Sequence, residues 1–174
     1  GHEKEKIIEY LLCAHSDRKI QFVEIDNISA PGSGPGYSLL CCKKHLELPF
    51  IFSSVDTIVE ENIPLPDHNW LGVAPVNRTE EYCTISTTDG LIDRLDDKVK
   101  CKNKKAFIGL AGIKDYKYFF DCLQDDKLLV QNEHQVSSGF RALIKKKLSP
   151  IVFTWHDIGS IDGYNSAKKK LSKE

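Results

Sequence analysis

Methionine is missing altogether from this chain of 174 residues, and several other features that would direct a reading are missing with it. No apolar run approaches the roughly 20 residues needed to span a bilayer. The first stretch, GHEKEKIIEYLLCAH, is charged and amphipathic, unlike the basic-then-apolar block of a signal peptide. Neither sign of charge dominates: 24 Lys and Arg face 25 Asp and Glu, for a net charge of −1. Bulk attraction to nucleic acid or to an anionic membrane is therefore not expected. The six cysteines (Cys13, Cys41, Cys42, Cys83, Cys101, Cys122) form no C-x-x-C pair, and vicinal Cys41 and Cys42 cannot easily bridge each other. Reduced, mostly buried thiols in a cytoplasmic protein are the reading. The six histidines make no H-x-x-x-H or H-x-H pair, which argues against zinc. G-x-S-x-G is absent, and no Ser-His or Cys-His pairing has a recognisable context, which argues against covalent hydrolase chemistry. A chain this long without an internal methionine is uncommon, and is consistent with part of a longer protein.

What is present reads as one α/β domain over residues 1–174, with ordinary globular composition. Residues 3–14 predict an amphipathic helix with Ile7, Ile8, Leu11 and Leu12 on one face. IQFVEI (20–25) predicts a strand, APGSGPG (30–36) a loop, YSLLCCKKHL (37–46) a helix. PFIFSSVD (49–56) is almost continuously apolar, as a strand buried on both faces of a parallel sheet would be. The middle changes rhythm: 70–76, 82–88, 91–95 and 105–113 predict strands, with Asp89-Gly90 as a hairpin turn. Helices are expected at 115–123, 134–147 and 161–172, and a buried strand at 150–155, ending at His156-Asp157. The expected fold is a mostly parallel, doubly wound sheet flanked by helices, with a small antiparallel excursion over 70–113.

Two aspartates stand out. Asp56 ends one apolar strand and Asp157 lies just past another, and strand ends face the ligand crevice of an open α/β sheet. Two carboxylates from different strands could hold one hard divalent cation. Equally, each could simply end a strand or cap a helix. Gly34, in GSGPG, could let backbone approach a flat ligand or serve a plain turn; the loop has neither the P-loop lysine nor G-x-G-x-x-G spacing. Lys98 opens a run continued by Lys100, Lys102, Lys104 and Lys105, the pattern of a solvated edge, although one of them could reach an anionic substrate.

Together these segments resemble the bacterial sugar-1-phosphate nucleotidyltransferases. GHEKEKIIEYL is similar to the family's G-Y-x-x-E-x-I-x-x-Y-L helix, and SGPGYSLLCCKKHLELPFIFSSVD to its L-G-T-A-x-A-L…PF-x-V-x-x-G-D stretch. DRLDDKV resembles F-x-E-K-P, AFIGLAGIKDYKYFFDCL the N-A-G-I-Y strand and helix, and NEHQVSSGFRALI the G-E-x-x-(I/V)-(T/S) segment. FTWHDIGSIDGYNSAKKKL is similar to W-x-D-(V/I)-G-x-x-x-x-Y-x-x-A. The matches keep the family's order across nearly the whole chain.

The resemblance implies a nucleotide-diphospho-sugar transferase-like fold and an enzyme joining an NTP to a sugar 1-phosphate, giving an NDP-sugar and pyrophosphate, with Mg2+. It implies metal roles for Asp56 and Asp157, a nucleobase-facing loop at Gly34, a sugar-hydroxyl contact for Asp97 and a sugar-phosphate contact for Lys98. The family's G-x-G-x-R loop has no counterpart here, so an N-terminally truncated, partial domain is expected, inactive by itself. Val99 for Pro, Asp97 for Glu and Leu110 for Asn suggest a divergent branch, supplying surface or capsular polysaccharide precursors. The competing reading is a non-catalytic sugar-nucleotide-like module with regulatory or assembly duties. A glycosyltransferase of related fold would carry D-x-D, which the sequence lacks. Homo-oligomerisation is compatible with either reading.

Overall fold

The apolar stretch KAFIGLAGI folds as the strand on which the sheet is built. In the computed structural model, which describes residues 3–26 and 30–172, this is β6 (Lys105–Ile113), preceded by α1 (Lys4–Ala14), α2 (Pro35–Cys41), β1 (Phe50–Ser53), β2 (Thr57–Val59), β3 (Trp70–Pro75), β4 (Cys83–Thr88) and β5 (Leu91–Asp97). After it come α3 (Tyr116–Asp125), α4 (Ser137–Leu143), β7 (Ser149–Val152), β8 (Trp155–Asp157) and α5 (Ile161–Leu171). Gly1 and His2, which open the first motif, lie outside the described residues.

The sheet runs β5-β4-β6-β3-β7, with β1 also on β6. One edge of β6 meets β3 along its length. The other meets β4 at Lys105 and Ala106, and β1 from Leu110 to Ile113. All of these pairs are antiparallel, as is β4–β5; only β3–β7 is parallel. The expected mostly parallel, doubly wound sheet is thus corrected to a mixed, mostly antiparallel one. Connection length accounts for two of the pairings. The two-residue Asp89-Gly90 turn can join β4 and β5 only as antiparallel neighbours, whereas β7 reaches its parallel place beside β3 after the whole 76–148 excursion. β6 pairs antiparallel with β1, β3 and β4, none of them its neighbour in sequence.

Alternation along β3 and β6 builds two cores. Leu71, Val73, Ala111 and Ile113 face α3 and α4, packing with Phe119, Phe120, Leu123, Phe140 and Leu143. Phe140 is wedged between Phe107 and Phe119, with ring centroids 5.0 and 5.2 Å away. Trp70, Ala74, Ile108 and Leu110 face the other way, against Phe153, Trp155 and Val59. Beyond them β2 and β8 form a separate two-stranded ribbon, backed by α5.

Several expected elements differ. IQFVEI is not a strand: no described strand lies alongside it to complete a ladder. The strand at 49–56 stops at Ser53 and is buried at Phe50 only, Ile51 being exposed; the strand enclosed on both faces is β3. The strand at 150–155 is an edge, with Val152 exposed, and breaks at Phe153–Thr154 before β8. The helix at 134–147 begins only at Ser137 and tightens to a 3-10 turn at Ile144–Lys146. α1 forms, but none of its residues is buried. The Asp89-Gly90 hairpin forms as read, both residues having positive φ.

A candidate carboxylate cleft

The ribbon brings the two aspartates together. Thr57 and Asp157 are partners in the β2–β8 register, and the amide of Ile158 donates to the carbonyl of Asp56 at 3.0 Å. A Cβ placed on Gly159 would lie 3.2 Å from Asp157 Oδ1 and 3.2 Å from Asp56 Oδ2, so those oxygens are no farther apart than about twice that. Neither residue ends a strand of the main sheet. Asp56 sits on the turn into β2, and Asp157 closes β8.

Both carboxylates line a cleft of ≈ 210 Å³. Phe52, Phe107, Ile108, Tyr82, Cys83 and Trp155 are among its lining residues. Ser54, Asp56, Phe52 and Pro35 are shared with a wider groove of ≈ 670 Å³ along β1, so Asp56 stands where the two meet. β1 approaches β6 closely here: Ser54 N–H donates to the Gly109 carbonyl at 2.7 Å. Gly109, at φ +78°, has no Cβ to collide with the Ser54 side chain.

Asp157 is held at both oxygens. Oδ1 accepts from the Gly159 amide at 2.9 Å, and Oδ2 from the Tyr82 hydroxyl at 3.3 Å. Tyr82 stacks edge-on against Trp155 at 5.7 Å. Burial, then the neighbouring Asp157 charge, pushes the Tyr82 hydroxyl pKa up, keeping it a donor. The indole Nε1 of Trp155, a cleft-lining residue, is buried and has no hydrogen-bond partner among the described residues. Sequence reasoning assigned Tyr82 and Trp155 no role. Trp155 was within reach of it, since residues i and i+2 of a strand share a face and Trp155 stands two before Asp157.

The other expected site residues are placed differently. Asp97 lines the cleft, but its Oδ2 accepts from Ser137 Oγ at 2.6 Å and pairs with Arg141, leaving the side chain 7% exposed. Lys98, left-handed at φ +48°, donates from Nζ to Gln131 Oε1 at 2.8 Å and is not a cleft-lining residue. Gly34 serves packing: at φ +130°, a Cβ there would sit 2.9 Å from the Cβ of Glu133. The loop is zipped to 132–134 by Gly32 N–H to Asn132 O and His134 N–H to Ser33 O, both 2.9 Å.

Among the described residues, four acidic ones (Asp56, Glu81, Asp97, Asp157) and no Lys or Arg line the cleft. Among the described residues no group of three or more His, Cys, Asp or Glu could enclose a metal. Two adjacent carboxylates beside open space do suit Mg2+, which keeps several waters and is commonly held by one or two carboxylates plus substrate phosphates. No described helix is long and apolar enough to cross a membrane.

No family model and no curated protein matches the sequence. Solved structures do match in shape. A protein named a glucose-1-phosphate thymidylyltransferase, from Bacillus anthracis and bound to sucrose, superposes with TM-score 0.75 at 13% identity, over 95% of this chain and 71% of that one. A UDP-glucose pyrophosphorylase complexed with UDP-glucose gives TM-score 0.73 at 17% identity, over 99% of this chain and 78% of that one. A UTP-bound UGPase from Acinetobacter baumannii gives 0.66 at 12% identity, over 97% and 66%. The chain therefore has the fold shared by sugar-1-phosphate nucleotidyltransferases and UDP-glucose pyrophosphorylases.

Proposed function

We propose that this chain serves nucleotidyl transfer from an NTP to a sugar 1-phosphate, giving NDP-sugar and pyrophosphate. The observation that carries the reading is the meeting of Asp56 and Asp157, a hundred residues apart in sequence, at one point of an acid-lined cleft. Anionic phosphates cannot settle among carboxylates without a cation. The fold of the structural neighbours, whose names include a UDP-glucose complex and a UTP complex, supports the same class.

Asp56 and Asp157 would hold Mg2+. A bound Mg2+ supplies charge neutralisation between two reacting anions and polarises the phosphoryl oxygens. The chain's residues do the rest. Gly159 and Tyr82 fix the Asp157 carboxylate. Phe52, Phe107 and Trp155 give the cleft its aromatic lining, and the groove along β1 offers the length the small cleft lacks, ligand pockets being typically 300–1,000 Å³. A phosphate oxygen of the sugar 1-phosphate forms the new bond to the α-phosphorus while the bond to the pyrophosphate oxygen breaks. That oxygen is already ionised at neutral pH, a phosphate's second pKa being about 6. No general base is required. Lys98 would join the sugar phosphate only after releasing Gln131.

A specific observation favours the non-catalytic reading as well: among the described residues no cationic side chain lines the cleft, so binding without turnover is the alternative outcome. The test is calorimetric titration of UDP-glucose and UTP with and without Mg2+, beside a pyrophosphate-release assay with glucose 1-phosphate. Mg2+-dependent binding lost in Asp56→Asn and Asp157→Asn supports the site. Binding that ignores both the metal and the two substitutions sinks it.

A further inference from the structure

We infer that Glu61, with Glu60, is a positioning residue that holds Asp157 opposite Asp56 from the far end of the β2–β8 ribbon. The inference rests on the site reading above but concerns residues that reading does not use.

The ribbon has three residues per strand, and so short a two-stranded ladder is marginal by itself in water. Its two strands are not equally anchored. β2 is tied to the main sheet where the Thr57 hydroxyl donates to the carbonyl of Ile108. The chain leading into β8 is fixed to β3 where the Phe153 amide donates to the Val73 carbonyl at 3.0 Å. Beyond that anchor, among the described residues, β8 is held by the β2 ladder and by the Tyr82 hydroxyl, next to β4, at Asp157.

Beyond the ladder, Glu60 and Glu61 grip β8. The Thr154 amide donates to both oxygens of Glu61, at 2.8 and 2.9 Å, and the Thr154 hydroxyl donates to Oε1 at 2.7 Å. The Glu60 amide donates to the Thr154 carbonyl at 3.3 Å. The Glu60 carboxylate meets His156 Nε2 at 2.7 Å, and that imidazole is 6% exposed. Thr154 and His156, the latter next to Asp157 in β8, are thus held by two adjacent glutamates that do not line the cleft. One amide donating to both oxygens of a carboxylate has no ladder role: together with the Phe153 bond to Val73, it holds the chain at the break between β7 and β8, three residues before Asp157.

The experiment uses the whole chain in four forms: wild type, Glu61→Ala, Glu61→Gln and Asp157→Asn. Amide hydrogen exchange is read at Ile158 and Gly159, whose N–H groups donate to Asp56 and Asp157, and Mn2+ is titrated as the probe cation. In Glu61→Ala both amides should exchange faster while the melting temperature and protection of β3 hold. Mn2+ affinity should fall, by less than the about 10- to 100-fold that loss of a direct partner of a metal ligand costs, because Glu61 acts on Asp157 through Thr154. Glu61→Gln, which keeps one carbonyl acceptor for Thr154, should lie between. Unchanged exchange at both amides in Glu61→Ala overturns the positioning role whatever the metal does. Faster exchange with Mn2+ uptake indifferent to Asp157→Asn leaves the positioning role standing and overturns the metal reading instead.

Discussion

Asp157 shows how much a single side chain depends on what surrounds it. Its two oxygens are engaged by Gly159 and Tyr82, so Tyr82→Phe should leave the fold intact and loosen one oxygen. We expect Mn2+ binding to weaken by less than in Asp157→Asn, as titration of both variants will show. Thiol chemistry separates two cysteines. Burial pushes Cys83 well up, while the hydrogen bond with Thr84 pulls Cys101 down. Because the thiolate is the nucleophile, iodoacetamide at neutral pH should label Cys101 well before Cys83, as peptide mass spectrometry will read. Asp93 gives a pH signature. Hydrogen bonds from Ser86 and Thr88 hold its pKa below the ordinary carboxylate range. A group depressed on folding stabilises the fold above its unfolded pKa and loses that contribution as pH falls through its folded pKa. The melting-temperature advantage of wild type over Asp93→Ala should therefore be full at neutral pH and shrink on acidification. Asp56, Asp157 and the Asp89-Gly90 turn were legible as residues. Asp97's burial against Arg141 and Lys98's bond to Gln131 were not, because both partners lie more than thirty residues away.

Among the elements, β6 and α4 carry the most consequence. Phe140 is fully enclosed between the sheet and α3, and Phe140→Ala should cost about 3–5 kcal/mol, the usual range for emptying an aromatic core site. Gly112 lies under the indole of Trp70, where a Cβ would collide with the ring. Trp70 is fully buried and donates to the Leu65 carbonyl at 3.2 Å, so it has little room to retreat. Gly112→Ala should cost roughly 1–3 kcal/mol as overpacking. Urea denaturation measures both. Most elements were readable from period and punctuation. The failures are informative: IQFVEI has the composition of a strand but no described neighbour to pair with, and composition cannot supply a partner.

For the molecule as a whole, stability should be graded from the β3–β6 centre outward. Those strands hold the fully buried residues of both cores, whereas α1 buries none of its residues. Native-state hydrogen exchange should be slowest in β3 and β6 and fastest in α1; comparable protection of α1 would contradict this. The sequence by itself determined the balance of charge, the α/β class, the hairpin at Asp89-Gly90, most element positions and the two aspartates, because each follows from local composition or short-range periodicity. Strand direction was legible at the Asp89-Gly90 turn, which makes β4 and β5 antiparallel, but not for β1, β3 and β6, whose pairings join segments far apart in sequence. Only the tertiary structure decided that Asp56 and Asp157 meet on a ribbon outside the main sheet, that Tyr82 and two glutamates hold that ribbon, and that Lys98 turns to Gln131. Those are contacts between distant segments, and their energy exists only once the chain has closed the loops between them.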